Sequence, residues 1–148
     1  MNEGEMNTEP ANDIVYSTEE HLEVDEFIDI LVRSGLAERR PISQSNVIRG
    51  MVEFASLMIT ARTKDGLLVG VARSVTDFSY CCYLSDLAVD RDWQRQGIGK
   101  ELMRRTQVLA GGEDKVTMLL LSAPDGMDYY PKAGLEKLEN CFAIRRKG

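Results

Sequence analysis

The chain is poor in the residues from which most metal and nucleophilic centres are made. Of its 148 residues one is a histidine, His21, and three are cysteines. There is no CxxC pair and no Cys/His cluster, which excludes a zinc site from the expectations. Cys81 and Cys82 are neighbours in a strand-like run and cannot easily bridge each other. With Cys141 they read as small buried hydrophobes in a reducing compartment. His21 reads as a surface or capping residue, and a Ser–His–Asp or Cys–His arrangement has no support beyond the presence of the residue types. No apolar run approaches the roughly 18 residues of a membrane span. The opening MNEGEMNTEPAND has neither the basic start nor the apolar stretch of a signal peptide. These absences give a cytoplasmic location and no membrane partner as expectations. The net charge of −6 speaks against non-specific nucleic-acid binding.

What is present is the size and patterning of one domain. Residues 1–12 read as a disordered tail and 13–148 as a single domain. A short strand over 13–17 precedes an amphipathic helix over 21–35, with Val24, Phe27, Ile28 and Leu31 at helical spacing and Gly35 as the stop. A second helix spans Ser43–Ala55, with Val47, Ile48, Met51 and Val52 inward; Gly50 weakens it by about 1 kcal/mol relative to Ala. The period then changes. The runs 57–63 and 67–75 flank Lys64-Asp65-Gly66, a hairpin signal, and 78–89 follows as a third strand of an antiparallel meander. A helix from Gly97 to Leu109 carries Ile98, Leu102, Thr106 and Leu109 as its inner stripe, with Glu101 and Arg105 paired outside. The nearly unbroken apolar run 116–122 predicts a strand covered on both faces. A strand–helix–strand unit of this length predicts a parallel, right-handed crossover. A short helix around Asp128–Ala133 and a final hairpin, near Leu138–Glu139 and Cys141–Arg146, complete a mixed α/β sheet.

The segment DLAVDRDWQRQGIGKELMRR, residues 86–105, is net basic inside an acidic chain. Arg91, Arg95, Lys100, Arg104 and Arg105 stand against Asp92 and Glu101. A solvated helix face is the bland reading, and the two adjoining glycines favour an anion site. A P-loop fails twice, because Gln94 occupies the place of its first glycine and Glu101 that of its Ser/Thr. A dinucleotide fingerprint fails at Leu102 and in its strand context. The remaining pattern is Q/R-x-x-G-x-G/A, here Gln94-Arg95-Gln96-Gly97-Ile98-Gly99, set between strand Leu87-Ala88-Val89 and a helix. Glycines let backbone approach phosphates closely, and the first helical N–H groups point at the anion.

On this hexapeptide the chain resembles the GNAT superfamily of acetyl-CoA-dependent N-acetyltransferases. Tyr129-Tyr130-Pro131-Lys132-Ala133-Gly134-Leu135 is similar to a second family motif, with Tyr129 and Leu135 in place of Phe. The resemblance implies a GNAT-like fold in which the antiparallel meander leads into a parallel β-α-β pair, with two N-terminal helices and a C-terminal hairpin. It implies that residues Gln94 to Lys100 bind the pyrophosphate of coenzyme A and that strands 78–89 and 116–122 splay apart. Leu87, Ala88 and Val89 would then pair with the pantetheine arm, and Ser122 would line the channel. The family's pantetheine-contacting Asn has no counterpart between Leu121 and Tyr130. The resemblance also allows a homodimer, a frequent outcome in the family, here by pairing through the exposed edge of the last strand.

Moving an acetyl group from a thioester to a primary amine requires a neutral amine, a held oxyanion and a quenched thiolate. Deprotonating an alkylammonium at pH 7 costs about 4–5 kcal/mol. Tyr130 is the candidate general acid, with an aromatic core residue as its competing reading. Asp86 is the candidate base, directly or through water; a polar strand residue or turn-holding carboxylate competes. The oxyanion would take a backbone N–H of the same strand. The leading expectation is therefore an enzyme using acetyl-CoA as acyl donor without a metal, transferring directly through a tetrahedral intermediate to a small-molecule or peptide amine. A non-catalytic acyl-CoA-binding or protein-interaction module on the same fold is the alternative. The acidic surface leans toward a cationic acceptor such as a polyamine, an aminoglycoside or a lysine side chain.

Overall fold

The computed structural model describes residues 13–148; the stretch 1–12, read as a tail, lies outside the described residues. The elements run β1 (Val15–Thr18), α1 (Val24–Ser34), a 3-10 turn (Leu36–Arg39), α2 (Ser45–Glu53), β2 (Leu57–Arg62), β3 (Leu68–Thr76) and β4 (Cys81–Val89). After these come a 3-10 turn (Arg91–Trp93), α3 (Ile98–Ala110), β5 (Thr117–Leu119), a 3-10 turn (Pro124–Gly126) and α4 (Tyr129–Lys132). Five strands form one sheet in the order β1-β2-β3-β4-β5. The first four are antiparallel and β4 pairs β5 in parallel across the α3 crossover. No described helix is long and apolar enough to cross a membrane.

The sheet is covered on both faces. Phe27, Ile30 and Leu31 of α1 and Ile48 and Val52 of α2 pack on Met58, Val71 and Ala88. Ile98, Leu102 and Met103 of α3 pack on Leu57, Ile59, Val69, Ala72 and Leu84 on the other face. The inner stripe of α1 turns on Ile30 rather than Ile28, which is only partly buried. That of α3 ends on Ala110, one full turn past Thr106, while Leu109 is exposed.

Three expectations need correction. The run 116–122 gives a strand of three residues with Thr117 and Leu119 exposed. It is the edge strand of the sheet, so its apolar character does not report burial on two sides. The C-terminal hairpin is not formed: residues 133–148 carry no strand, and Phe142 and Ile144 are almost wholly exposed. Of the cysteines only Cys82 is buried; Cys81 and Cys141 are exposed.

One irregularity positions the site. The β3–β4 register runs Arg73↔Asp86 and then Ser74↔Leu84, so Ser85 is an extra residue bulged out of β4. A bulge shifts the alternation of faces. Leu84 therefore packs with the α3 cluster, whereas Ala88 packs with the α1/α2 cluster. The bulge falls next to Tyr83, the last residue of β4 paired to β5.

Candidate active site

Beyond Tyr83 the two central strands part. β4 continues to Val89, while the chain after Leu119 turns away unpaired. The gap is a cleft of about 670 Å³. Leu84, Ser85, Leu87, Ala88 and Val89 form its floor, Leu120–Leu121 and Ala123–Gly126 with Tyr130 one wall, and Ser34–Leu36 with Glu38–Arg40 the other.

The floor is an open strand edge. In an antiparallel strand, successive residues direct their backbone polar groups to opposite sides. Asp90 N–H reaches Val69 O of β3 at 2.8 Å. Ser85 O and Val89 O face the cleft instead, accepting from Arg40 Nη2 at 2.8 Å and Gln94 Nε2 at 3.0 Å. Leu87 lies between them in the same phase. Leu87 and Val89 thus turn both N–H and C=O to the gap, and of the two Leu87 is the one whose C=O no side chain takes.

At the far end of β4 the turn is built from main chain. Asp90 caps the 3-10 turn by accepting from Asp92 N at 2.8 Å and is held by Arg33 Nη1 at 2.5 Å. Trp93 packs against the Ile98–Leu102 cluster. Arg95 has φ 65 and Gly97 φ 84, the latter as the N-cap of α3 with no side chain capping it. Among the described residues the N–H groups of Gly97, Ile98, Gly99 and Lys100 have no acceptor; Glu101 N–H is the first to bond, to Gly97 O at 3.0 Å. The side chain of Ile98 is in the core, so only its N–H is available. A Cβ on Gly97 would meet nothing within 4 Å, and one on Gly99 would make ordinary contacts at 3.6 and 3.7 Å. Packing therefore does not require Gly99 to lack a side chain, and a run of four free N–H groups at a helix start fits a diphosphate. The cations are fewer than the sequence suggests. Arg104 and Arg105 are paired to Glu101 at 2.8 and 2.7 Å, which leaves Arg95 and Lys100 exposed at the cradle. Gln96 Oε1 is buried without a partner.

Tyr130 stands on the wall opposite, half-buried, edge-on to Tyr129 with ring centroids 5.2 Å apart. Burial, with the nearby Tyr129 and Asp125, pushes its hydroxyl above the usual tyrosine range. A Cβ at Gly126 would lie 2.9 Å from the Tyr130 ring and 2.8 Å from Ser122 Oγ, so this position must be glycine for the ring to sit there. Ser122 is not on the cleft surface; its hydroxyl donates to Ala123 O at 2.7 Å.

Asp86 is fully buried and accepts on Oδ1 from Arg40 Nε and on Oδ2 from Arg73 Nε. Arg73 also reaches Ser85 Oγ at 2.9 Å. Both carboxylate oxygens are occupied by guanidiniums, and Asp86 is not on the cleft surface. The carboxylate that does reach the cleft beside Tyr130 is Asp125.

The acetyltransferase (GNAT) domain family matches residues 55–136, more than half of the chain. The chain belongs to the GNAT acetyltransferase family. An uncharacterized N-acetyltransferase, ycf52, of Gracilaria tenuistipitata var. liui is 27% identical over 96 residues, 65% of this chain and 53% of the relative. The chain thus spans about half the length of the curated relative it matches. A proposed acetyltransferase from Deinococcus radiodurans R1 is similar in structure, with a TM-score of 0.70 and 25% identity over 91% of this chain and 90% of that one. The aminoglycoside acetyltransferase meta-AAC0020 from a soil metagenomic sample, solved with sisomicin, has a TM-score of 0.68 and 22% identity over 94% of this chain and all of that one.

Within this GNAT domain the sequence left several cleft residues unnamed, among them Arg39, Arg40, Asp125 and Gly126. The first two lie in the turn after α1, where no motif marks them. Asp125-Gly126 reads only as a turn signal.

Proposed function

We propose that this GNAT domain transfers an acetyl group from acetyl-CoA to a primary amine by direct attack. The observation that carries the reading is the cleft itself: an unpaired strand edge, a cradle of free N–H groups at one end and a half-buried tyrosine hydroxyl share one opening. Acetyl-CoA supplies an activated acyl thioester. Gly97 to Lys100 hold its diphosphate through main-chain N–H groups, with Arg95 and Lys100 adding charge, and Gln94 fixes the loop to Val89. Leu87 pairs with the pantetheine arm as an added strand would. The N–H groups on this edge are the donors available to a developing oxyanion, each typically worth 10²–10³ in rate in other enzymes.

Tyr130 keeps its proton through neutral pH, because its pKa is raised. That is the state a general acid to the departing thiolate requires, with an effect on the order of 10²-fold. Asp86 acts structurally in this reading, since both of its carboxylate oxygens are taken by guanidiniums and it does not line the cleft. Asp125 is the carboxylate placed to attract the incoming ammonium and take its proton through water. The competing reading, acyl-CoA binding without turnover, shares the cradle and gives no reason for a tyrosine hydroxyl in the cleft.

Thermal unfolding with coenzyme A tests the cradle: ligand at about 100 times its Kd adds about 2.7 kcal/mol of stability. Thiol release from acetyl-CoA over a panel of amines tests the transfer. Stabilisation without thiol release on any amine selects the binding module.

A further inference from the structure

The charge lining the cleft runs against the charge of the chain. In a protein of net charge −6, the wall after α1 carries Arg39 and Arg40, and Arg91 lies beside them, its guanidinium laid over Gly35. Among the described residues Glu38 is the one carboxylate on that wall, and Asp125 the one on the wall opposite. The arginines are not all consumed by structure. Arg39 is exposed and has no acidic partner among the described residues. Arg40 has five N–H donors. One goes to Asp86, one to Ser85 O and one to Arg39 O, which leaves two. Beneath it, Arg40 and Arg73 share the single carboxylate of Asp86, so the cluster keeps one positive charge at a largely buried position.

The position of this charge separates it from the cradle. Arg40 is anchored at the Ser85 bulge, where β4 leaves β5. Val89 is four residues further on, about 13 Å along a strand, and the glycine turn lies beyond it. Arg40 is thus at the acyl end of the cleft, where β4 leaves β5, and Arg39 is its chain neighbour, whereas Arg91, two residues past Val89, lies toward the diphosphate end; Tyr130 and Asp125 line the same cleft. We infer that the acceptor is an amine that also carries an anionic group, a carboxylate or a phosphate. Arg39 and Arg40 receive the anion, while the ammonium faces Asp125 beside Tyr130. The inference rests on the transferase reading for the identity of the nucleophile, and on the charge of the wall for the anion. Polyamines and other polycations are disfavoured at the same wall by like charge.

Matched pairs test it: lysine against cadaverine for a carboxylate, and glucosamine 6-phosphate against glucosamine for a phosphate. Each is measured for binding by calorimetry with coenzyme A present and for thiol release from acetyl-CoA. In at least one pair the anionic member is expected to bind and react at least tenfold better, the scale of a charge-assisted hydrogen bond. Arg39→Gln, an exposed position that should leave folding intact, is expected to reduce that advantage severalfold, by weakening the anionic member and relieving the like-charge penalty on its cationic counterpart, with the affinity for coenzyme A retained. Equal or better binding by cadaverine and glucosamine, no binding by any of the four, or an advantage untouched by Arg39→Gln overturns the inference. Tighter anion binding with no thiol release upholds the charge reading and removes the transferase reading; equal thiol release from both members does the reverse.

Discussion

The two ends of the cleft are made of different material. The end beyond Val89 is main chain: a left-handed residue at Gly97 and consecutive N–H groups with no acceptor among the described residues. The rest of the cleft is lined by side chains: Arg40 at Ser85, steadied by the buried Asp86, and Arg39, Tyr130 and Asp125 on its walls. A main-chain site is specified by a few consecutive residues that fix backbone conformation. A side-chain site depends on the whole tertiary structure, so it can change between relatives on one fold. The first end suits a ligand that stays the same, the second a partner that varies.

The comparison breaks most sharply at Asp86. If it steadies the side-chain end, Asp86→Ala leaves Arg40 and Arg73 without a counter-ion, and removing one partner of a buried pair costs about 3–5 kcal/mol. Urea unfolding measures this. An unchanged unfolding free energy together with a lost limb in the pH–rate profile would restore Asp86 as the base. Next comes Tyr130→Phe, expected to lower kcat on the order of 10²-fold, about 2.7 kcal/mol in the barrier, with little change in melting temperature or in KM for acetyl-CoA. The sign in pH follows from the raised pKa. The acid form persists below pH 10, so the native enzyme should show no fall in kcat from this group between pH 6 and 9. Any such fall that vanished in the Phe variant would contradict a raised pKa. At the main-chain end Gly97→Ala meets no steric obstacle, yet must hold φ 84. The expected cost is about 1–2 kcal/mol of stability and a severalfold rise in KM for acetyl-CoA, with kcat at saturation retained.

Legibility in the sequence followed the same division. Gln94 to Gly99, between a β-rich run and a helical stripe, announced the turn, because strand period, glycine and helix onset are all local signals. The meander was readable from Asp65-Gly66 and from alternation on either side. The short β5 was not, since an apolar run does not state whether a neighbour covers it. Nor was the hairpin after Gly134: Cys141 to Arg146 alternates well enough for a strand, yet no partner edge meets it in the structure. Asp86 illustrates the limit at the site. Its place beside Leu87 was readable, but its two guanidinium partners come from Arg40 and Arg73, and the bulge that turns it from the cleft is a matter of register between strands.

The smallest expected effect bears on what the cradle is made of. Glu101, in the first turn of α3, accepts from Arg104 at 2.9 and 2.8 Å and from Arg105 at 2.7 Å; these bonds, led by Arg104, pull its pKa down to about 2. A depressed carboxylate contributes stability above its unfolded pKa near 4.5 and loses it as pH falls from there toward 2. Because the group is on the surface, solvent and salt reduce the contribution to under about 1 kcal/mol. Glu101→Gln should therefore lower stability slightly at pH 7, by less in 1 M salt, and should converge with the native chain near pH 2. The variant also releases Arg104 and Arg105, the latter still stacked 4.7 Å over the Tyr16 ring. If phosphate is held by the Gly97–Lys100 N–H groups, two freed guanidiniums on the outer face of α3 change KM for acetyl-CoA by less than about twofold. A severalfold fall in KM would mean that side-chain charge carries the diphosphate end as well, and the contrast between the two ends would be lost.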